Sequence, residues 1–303
     1  MTQVWKNSLY VFLGACSFGI LSTIVKTAYS EGFTIQEVMG GQYGFGWLLM
    51  LVLMLIFSRK KVTLRQFIRL AGVGACTCLT GVFYYMSLQT LPASIAIVLL
   101  FQFTWMGVGL EAALSRKWPS GATLVSVLIL FAGTILAGGL LGGGDFQLSL
   151  SGILYGLGSA LMMALFIYCS GRVETRLPLI TRSFCISTGS LLMLLIIFTP
   201  KVIPNVAQTT ELWPYGLALG AFGAVIPVLL FGLGAPKINP GLASILSAGE
   251  FPVAVTASVL VLHEQVGGLQ WLGIAVILLG IAYPQLMGGR SASSKQRISS
   301  KAA

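Results

Sequence analysis

Charged side chains are scarce in this sequence, and acidic ones are the scarcest. The 303 residues include 18 Lys and Arg but only 8 Asp and Glu, so 9% are charged, whereas 56% are hydrophobic and the mean hydropathy is +0.91. So little polar surface cannot coat a water-soluble globule of this length. The composition therefore predicts an integral membrane protein.

Residues that build catalytic and metal sites are also few. There is one histidine, His263, beside Glu264, and the cysteines number five, all in apolar runs. Cys76 and Cys78 are two residues apart and would face different directions on a helix, so neither a disulfide framework nor a metal site is supported. No Walker loop is present, which excludes an ATP-driven pump encoded in this chain. We expect no metal, no cofactor and no enzymatic activity.

Long apolar runs are what the sequence has in abundance. A helix needs about 20 residues to cross a hydrocarbon core of roughly 30 Å, and the first run is too long for a signal-peptide core. The sequence therefore predicts an all-α polytopic membrane protein with ten transmembrane helices. They lie at residues 8–28, 35–57, 67–88, 92–114, 122–141, 150–171, 180–199, 213–235, 241–262 and 269–287. A basic C-terminal tail follows at residues 288–303.

Basic residues lie almost wholly on one side of this predicted topology. If the N-terminus is cytoplasmic, 16 of the 18 lysines and arginines are in cytoplasmic segments, and only Lys26 and Lys201 are outside. Because cytoplasmic loops carry the excess of positive charge, we predict a cell-membrane protein with both termini cytoplasmic. Most of the net charge of +10 is then assigned to loops on one side of the membrane. The expected partners are the lipid bilayer and a small-molecule solute, and not nucleic acid.

The two halves of the chain align with each other. Five spans per half is an odd number, so a duplicated unit must insert with its second copy inverted. With a one-residue slip, three pairs of positions match: Pro92 with Pro240, Gln102 with Glu250, and Gly133 with Gly280. We predict two inverted five-helix repeats, residues 1–144 and 145–287, with a boundary at 142–145. Such repeats are typical of transporters, whose halves exchange conformations around a midplane site.

Two stretches carry a resemblance to a known family. Residues 223–283 hold an Asn-Pro turn, an Ala-Ser-Ile-Leu segment, a Glu-x-Pro at Glu250 and Pro252, and a Gly-rich last span; residues 84–96 read Tyr-Tyr-Met-Ser-Leu and then Pro-Ala-Ser-Ile-Ala. These features resemble the drug/metabolite transporter superfamily, specifically EamA-type transporters. The resemblance implies a ten-span transporter; such proteins export amino acids, drugs or other metabolites, and some take solutes up. The sequence departs from the pattern at Gln42, where the family often has an arginine.

One acid lies near the middle of the ninth predicted span. Glu250 is about ten residues into that span, or about 15 Å deep. An ionised carboxylate facing lipid at that depth costs about 3 kcal/mol, so we expect Glu250 to face the helix bundle and to carry a proton part of the time. It is either a proton-coupling or amine-binding carboxylate, or a neutral acid that holds helices together.

Further candidates surround the same depth. Gln102, the counterpart of Glu250, offers an uncharged hydrogen-bonding group that suits either a solute or a neighbouring helix. Aromatic rings near both positions suit an aromatic or hydrophobic solute or a cation, although most rings in such proteins serve packing or the membrane interface. The aromatic candidates are Trp47, Tyr84, Tyr85, Phe101, Trp105 and Tyr168.

Other polar residues and two prolines have structural interpretations. Lys26 is close to the outer end of its span and can extend to water; the less favoured alternative is contact with a solute. Glu111 is near the cytoplasmic end of its span, where we expect an ion pair with Arg116 or the basic loop. Pro227 and Pro252 are inside spans and predict local kinks.

Together these observations predict a secondary active transporter. We expect export of an amino-acid-like or hydrophobic, aromatic solute by alternating access, with proton coupling through Glu250 favoured. A facilitative uniporter, an exchanger or an importer is the alternative. The rival class is an integral membrane enzyme acting on lipid, for which His263 and Glu264 are the only nearby acid–histidine pair in the sequence.

Overall fold

A computed structural model of the chain describes residues 2–58, 60–88, 90–91, 93–137, 149–198, 209–263 and 267–299. Within these ranges the chain is almost entirely helical and contains no strand. The predicted repeat boundary at 142–145 and the acid at Glu264 lie outside the described residues.

The described helices follow the predicted spans in order. They are α1 (Thr2–Ser30), α2 (Ile35–Phe57), α3 (Leu64–Leu88), α4 (Ala93–Leu100), α5 (Phe103–Ser115), α6 (Gly121–Ala137), α7 (Leu150–Ser170), α8 (Leu179–Phe198), α9 (Trp213–Gly220), α10 (Ile226–Gly234), α11 (Pro240–Ser247), α12 (Glu250–Leu262) and α13 (Gly268–Ser299). Three spans consist of two helices each: span 4 is α4 with α5, span 8 is α9 with α10, and span 9 is α11 with α12. The other seven spans are single helices.

Length and hydropathy confirm a polytopic membrane protein. Eight of the described helical segments are long and apolar enough to cross a membrane. The apolar parts of spans 5 and 10 are shorter, at Gly121–Ala137 and Gly268–Pro284. The last helix differs from the prediction, because α13 continues past residue 287 to Ser299.

Several spans begin with a side-chain cap. The Thr34 hydroxyl accepts a hydrogen bond from the Glu37 amide, and the Glu37 carboxylate accepts one from the Thr34 amide, which forms a capping box at the start of α2. Asn239 caps α11, followed by Pro240 in the first turn. A proline is tolerated there because the first turn of a helix has no partner for its amide hydrogens. These caps explain why the chain can reverse within short connections.

Helix contacts repeat between the two halves, as inverted repeats require. Span 1 packs on spans 8 and 9, and its counterpart, span 6, packs on spans 3 and 4. Span 2 packs on span 8, and their counterparts, spans 7 and 3, also pack together. Equivalent spans meet at three contacts, which join span 2 with 7, 4 with 9, and 5 with 10. The chain is therefore an all-α protein of ten transmembrane helices in two inverted repeats.

The connections lie at two ends of the bundle. At one end, the Ser58 and Thr181 hydroxyls share a hydrogen bond, and Arg69 pairs with Glu174 at 3.0 Å. We call this end the basic face. It carries residues 58, 60–63, 116–120, 171–178 and 235–239. The other end, which we call the opposite face, carries residues 31–34, 90–91 and 263.

Spans 4 and 9 break near their middles at corresponding positions. Span 4 turns at Phe101 and Gln102, and span 9 turns at Ala248 and Gly249. In span 9, Pro252 lacks the amide hydrogen that a continuous helix would donate to the Ala248 carbonyl. Broken spans at matching places in two inverted repeats are typical of transporter binding sites.

Spans 5 and 10 pack closely through glycine. A Cβ atom at Gly133 would lie 2.9 Å from the backbone nitrogen of Ile277, and one at Gly280 would lie 2.9 Å from Leu130 Cδ2. The Ser126 hydroxyl donates a hydrogen bond to the Gly280 carbonyl. Because lipid supplies no hydrophobic drive between helices, such close contact is what joins them.

A larger side chain at Gly133, in the contact between spans 5 and 10, should push these helices apart. We expect Gly133→Leu to lower the free energy of unfolding by about 1–3 kcal/mol, the usual effect of overpacking. Gly109→Leu is the matched control, because a Cβ at Gly109 has nothing within 4 Å. Thermal unfolding of the purified protein in detergent measures both. Equal shifts for the two variants would contradict a close seam.

Candidate functional site

A cavity of about 590 Å³ lies inside the bundle. Its size falls within the range of about 300–1,000 Å³ that is typical of small-molecule sites. Its walls come mainly from spans 1, 3 and 9, with three residues each from spans 2 and 4 and one each from spans 5, 6, 8 and 10. The lining residues occupy the middle of these spans and the halves nearer the opposite face. The cavity therefore extends from the centre of the bundle toward the opposite face.

Polar groups line this cavity at helical spacing. Along span 1 the wall holds Ser22, Lys26 and Tyr29. Along span 3 it holds Thr77, Thr80, Tyr84 and Tyr85. Residues three or four apart lie on one face of a helix, so each span presents one polar stripe to the cavity. Among the described lining residues, Lys26 and Glu250 are the charged ones.

Glu250 begins α12, directly after the break in span 9. The N-terminal end of a helix favours a carboxylate, because its first amide groups lack partners and point outward. Glu250 lies close enough to the Tyr84 hydroxyl and the Cys16 thiol to interact with both electrostatically. Span 1 approaches closely here, since a Cβ at Gly19 would lie 2.5 Å from the Glu250 carbonyl oxygen. The carboxylate thus stands at the centre of the bundle between spans 1, 3 and 9.

Aromatic rings surround the carboxylate. Phe101 and Phe251 meet edge to face, with ring centroids 4.9 Å apart, and both line the cavity. Each ring sits at the break of its own span, so the two broken helices touch through these side chains. Tyr84 and Tyr85 lie beside them, with centroids 6.1 Å apart, and Tyr29 approaches Tyr85 at 6.4 Å. The wall is therefore largely apolar and aromatic.

Gln102 is not a cavity-lining residue, and its side chain forms hydrogen bonds within span 4. Its amide nitrogen donates to the Val98 carbonyl at 2.8 Å, and its amide oxygen accepts from the Trp105 indole at 2.8 Å. The Thr104 hydroxyl donates to the Phe101 carbonyl at 2.9 Å. Side chains therefore replace helix hydrogen bonds that the break in span 4 would lose.

Three of the aromatic candidates also lie elsewhere. Trp47 donates from its indole to the Thr188 hydroxyl at 3.0 Å, which joins spans 2 and 7. Trp105 is 47% exposed on the outside of span 4. Tyr168 lies under the Arg172 guanidinium, 4.6 Å from the ring centroid, near the basic face. The structure thus brings together Glu250 with Tyr84, Tyr85 and Phe101, and leaves the other four candidates apart.

Several lining residues were not among the predicted site residues. They are Ser22, Lys26, Tyr29, Gln42, Tyr43, Thr77, Thr80 and Gln270. A signal for most of them exists in the sequence, because Ser22, Lys26 and Tyr29, like Thr77, Thr80 and Tyr84, repeat at helical spacing inside apolar spans. A polar stripe of this kind predicts a face turned toward a cavity.

An irregular turn of span 8 also borders the cavity. Residues Ala221–Val225 form a π-helical turn between α9 and α10. Pro227 follows, and its missing amide hydrogen prevents a regular helix from continuing through this turn. Gly223 in the turn lines the cavity beside Gln42, whose amide nitrogen would lie 2.7 Å from a Cβ at Gly223. The predicted kink at Pro227 is therefore an irregular turn, and Gly223 within it leaves room for the Gln42 side chain.

The half of the bundle nearer the basic face is packed. Phe103, Phe166, Phe231 and Ile245 are fully buried below the cavity. Spans 4 and 9 touch there, because Gly107 leaves space for the Ser244 side chain. The structure is thus closed toward the basic face.

Glu111 stabilises this closed side by contacts to residues that are distant in the sequence. Its carboxylate accepts hydrogen bonds from the Asn239 side chain at 2.8 Å and from the Gly241 amide at 3.1 Å. Arg172 lies 3.8 Å from the same carboxylate. The expected ion pair is present, but its partner is Arg172 instead of Arg116 or the described residues of the basic loop, and Glu111 also caps α11. We call this group of Glu111, Asn239, Gly241 and Arg172 the latch; it joins spans 4, 6 and 9.

Groups suited to a metal are not assembled in the described part of the chain. No three His, Cys, Asp or Glu side chains come together there. The described residues of the cavity are polar and aromatic, with one carboxylate and one lysine among them.

Comparisons with known proteins agree with this architecture. The model of the EamA-like transporter family matches residues 5–139 and, separately, residues 150–283. A solved structure titled "Crystal structure of protein" resembles the chain with a TM-score of 0.74 at 20% identity, over 94% of this chain and 98% of that chain. A likeness at that identity establishes the fold alone. No curated protein matches the sequence.

The cavity geometry predicts one-sided access. In a cysteine-free background, we expect Ser22→Cys to react with a membrane-impermeant maleimide added to intact cells, because Ser22 lines the cavity and is exposed. Ser244→Cys is the matched control, since Ser244 is 1% exposed in the packed half. Its labelling should be slower on the order of tenfold, because a buried thiol is inert. Equal labelling rates would contradict a cavity that opens toward the opposite face.

Proposed function

This chain belongs to the EamA-like transporter family, and we propose that it is a secondary transporter that exports a small amino-acid-like solute with an apolar or aromatic part. The observation that carries the proposal is the cavity at the meeting point of two broken spans, with Glu250 at its centre. Binding at the midplane between inverted repeats is how such folds expose one site alternately to two sides. The expected setting is the cytoplasmic membrane, with the basic face inside.

The chemistry of the cavity supports the solute class. Glu250 can bind an ammonium group. Lys26 lies on span 1, nearer the opposite face, and suits a carboxylate. The rings of Tyr84, Phe101 and Phe251 suit an apolar or aromatic side chain between them. A solute that carries all three features is a zwitterion with a hydrophobic side chain.

The closed basic face supports alternating access. The cavity is accessible from the opposite face, while the latch and the packed half separate it from the basic face. On the alignment of the two repeats, Glu111 and Asn239 correspond to Val259 and Leu91, which cannot form an equivalent latch on the opposite face. This asymmetry favours the state that is open to the opposite face when no solute is bound.

Proton coupling is proposed to act through Glu250. A carboxylate at the N-terminus of α12 is held by the helix end when ionised and is neutral when protonated. If solute and proton compete for this one group, arrival of a proton from outside releases the solute there and resets the site. That exchange is antiport, and it needs no second charged group in the cavity.

The facilitative alternative differs from this proposal only in the role of Glu250, which would not carry protons. A uniporter or exchanger would use the same cavity and the same latch without moving protons. The lipid-modifying alternative would need a nucleophile with its base near the membrane interface. In the described residues, His263 is exposed at the opposite face and away from the cavity lining.

Replacing the central carboxylate tests binding and coupling separately. A thermal-shift panel of amino acids, amines and carboxylic acids first identifies a ligand, since a ligand that binds the folded state stabilises it. We expect Glu250→Gln to weaken binding of that ligand by roughly tenfold to a hundredfold, because a charge-assisted hydrogen bond is lost. In proteoliposomes the variant should no longer concentrate the labelled ligand when a pH gradient is imposed.

The control for this experiment is Glu31→Gln, which removes an exposed acid at the opposite face. It should leave both binding and flux unchanged. If Glu250→Gln binds weakly but still responds to the pH gradient, proton coupling through Glu250 is wrong. If it neither binds weakly nor loses the response, the cavity is not the transport site.

Breaking the latch should shift the protein toward the state open to the basic face. We expect Glu111→Gln to raise the rate of maleimide labelling at Ser244→Cys by roughly tenfold, because the carboxylate loses charge-assisted hydrogen bonds to span 9. The control, Glu174→Gln, removes a partner of Arg69, whose side chain is 52% exposed, and should have little effect. Labelling is measured in inside-out vesicles. No change with Glu111→Gln would show that packing alone closes this side.

A further inference from the structure

A second cavity, of about 560 Å³, lies at the basic face, away from the transport cavity. It lies where the end of span 2, the start of span 3 and the start of span 7 meet. Its inner wall is apolar and consists of Met54, Phe67, Phe184 and Cys185. Each of these residues is within about two turns of the end of its helix. The cavity is therefore a slot at the edge of the membrane, and we call it the interfacial slot.

The mouth of the interfacial slot faces lipid. Leu55 is 61% exposed and Leu64 is 74% exposed, and both line the slot. Large apolar side chains with such exposure at the end of a span contact the hydrocarbon of the bilayer. An acyl chain can enter the slot from that side without crossing water.

Two lysines stand at the polar end of the slot. Lys60 and Lys61 line it in the connection between spans 2 and 3, together with the Ser58 hydroxyl. Neither lysine is paired with a carboxylate in the described part of the chain. The described acids at this face, Glu111 and Glu174, are engaged by Arg172 and Arg69. Two positive charges are thus left to face a ligand at headgroup level.

From this geometry we propose that the interfacial slot binds an anionic phospholipid. The phosphate of the headgroup contacts Lys60 and Lys61, and the first part of an acyl chain packs on Phe67, Phe184 and Cys185. Basic pockets between transmembrane helices on the cytoplasmic side suit anionic headgroups. Because the slot is formed by spans 2, 3 and 7, the bound lipid stabilises the contact between the two repeats. This proposal is independent of the solute and of proton coupling.

Photochemical cross-linking tests the site in the intact protein. The purified protein is placed in phosphatidylcholine nanodiscs that contain phosphatidylglycerol with a photoactivatable acyl chain. We expect cross-links on peptides that contain residues 54–67 and 184–185. Cross-links found elsewhere, or an equal yield with a photoactivatable phosphatidylcholine, would overturn the proposal. This comparison uses the unaltered chain and so does not depend on the folding of a variant.

A charge-matched pair of variants tests the role of the two lysines. We expect K60Q/K61Q to raise the phosphatidylglycerol concentration for half-maximal cross-linking by roughly thirtyfold. This is the loss expected when the attraction of two lysines to an anionic headgroup is removed. K6Q/K117Q removes the same charge at two exposed lysines outside the slot and should leave the value unchanged. Equal losses in both variants would indicate diffuse attraction instead. Competition by inorganic phosphate would indicate a site for free phosphate and would also overturn the lipid proposal.

Discussion

Backbone hydrogen bonds must be made inside the protein wherever the chain crosses lipid, and this requirement governs the structure. Most spans meet it as uninterrupted helices. The broken spans meet it differently, because their turns are buried in the bundle and side chains supply the missing donors. Gln102 and Thr104 do so in span 4. Irregular backbone therefore occurs where the protein encloses a cavity, and the cavity lies where the breaks meet.

The inverted repeat gives two similar broken spans, and small sequence differences give them different roles. In span 9 the break places a carboxylate at the start of a helix. In span 4 the corresponding glutamine is turned back onto its own helix. Likewise, the latch residues Glu111 and Asn239 bind each other at the basic face. The aligned positions at the opposite face hold the aliphatic residues Val259 and Leu91, which cannot form a latch. In the proposed alternating-access cycle, symmetry would provide two comparable conformations, and the departures from symmetry would set which of them is populated.

The sequence predicted the fold well because the relevant signals depend on composition along the chain. Hydropathy defined the ten spans, and the paired positions Gly133 and Gly280 do meet in one seam. Proline identified the irregular turns near Pro227 and Pro252, but the break at Gln102 contains no proline and was not predicted. The partner of Glu111 was missed because the residues of the latch are far apart in sequence.

The site was predicted less completely for a geometric reason. Depth in the membrane can be counted along a span, so the sequence could group Glu250 with Tyr84, Tyr85 and Phe101, which line one cavity in the structure. The direction in which each side chain points around its helix depends on packing between spans. Trp47 and Trp105 have suitable depth but point to span 7 and to lipid. The polar stripes of spans 1 and 3 do carry directional information, since they repeat at helical spacing.

The contact between Phe101 and Phe251 has a kinetic consequence. These rings belong to different repeats; Phe101 lies in the turn that interrupts span 4, and Phe251 lies two residues after the turn that interrupts span 9. A shift of either turn would move its ring against the other, so rearrangement of one repeat would be coupled to that of the other. In a transport cycle of the proposed kind, the conformational step would involve both halves at once, and intermediates with only one half rearranged would be short-lived.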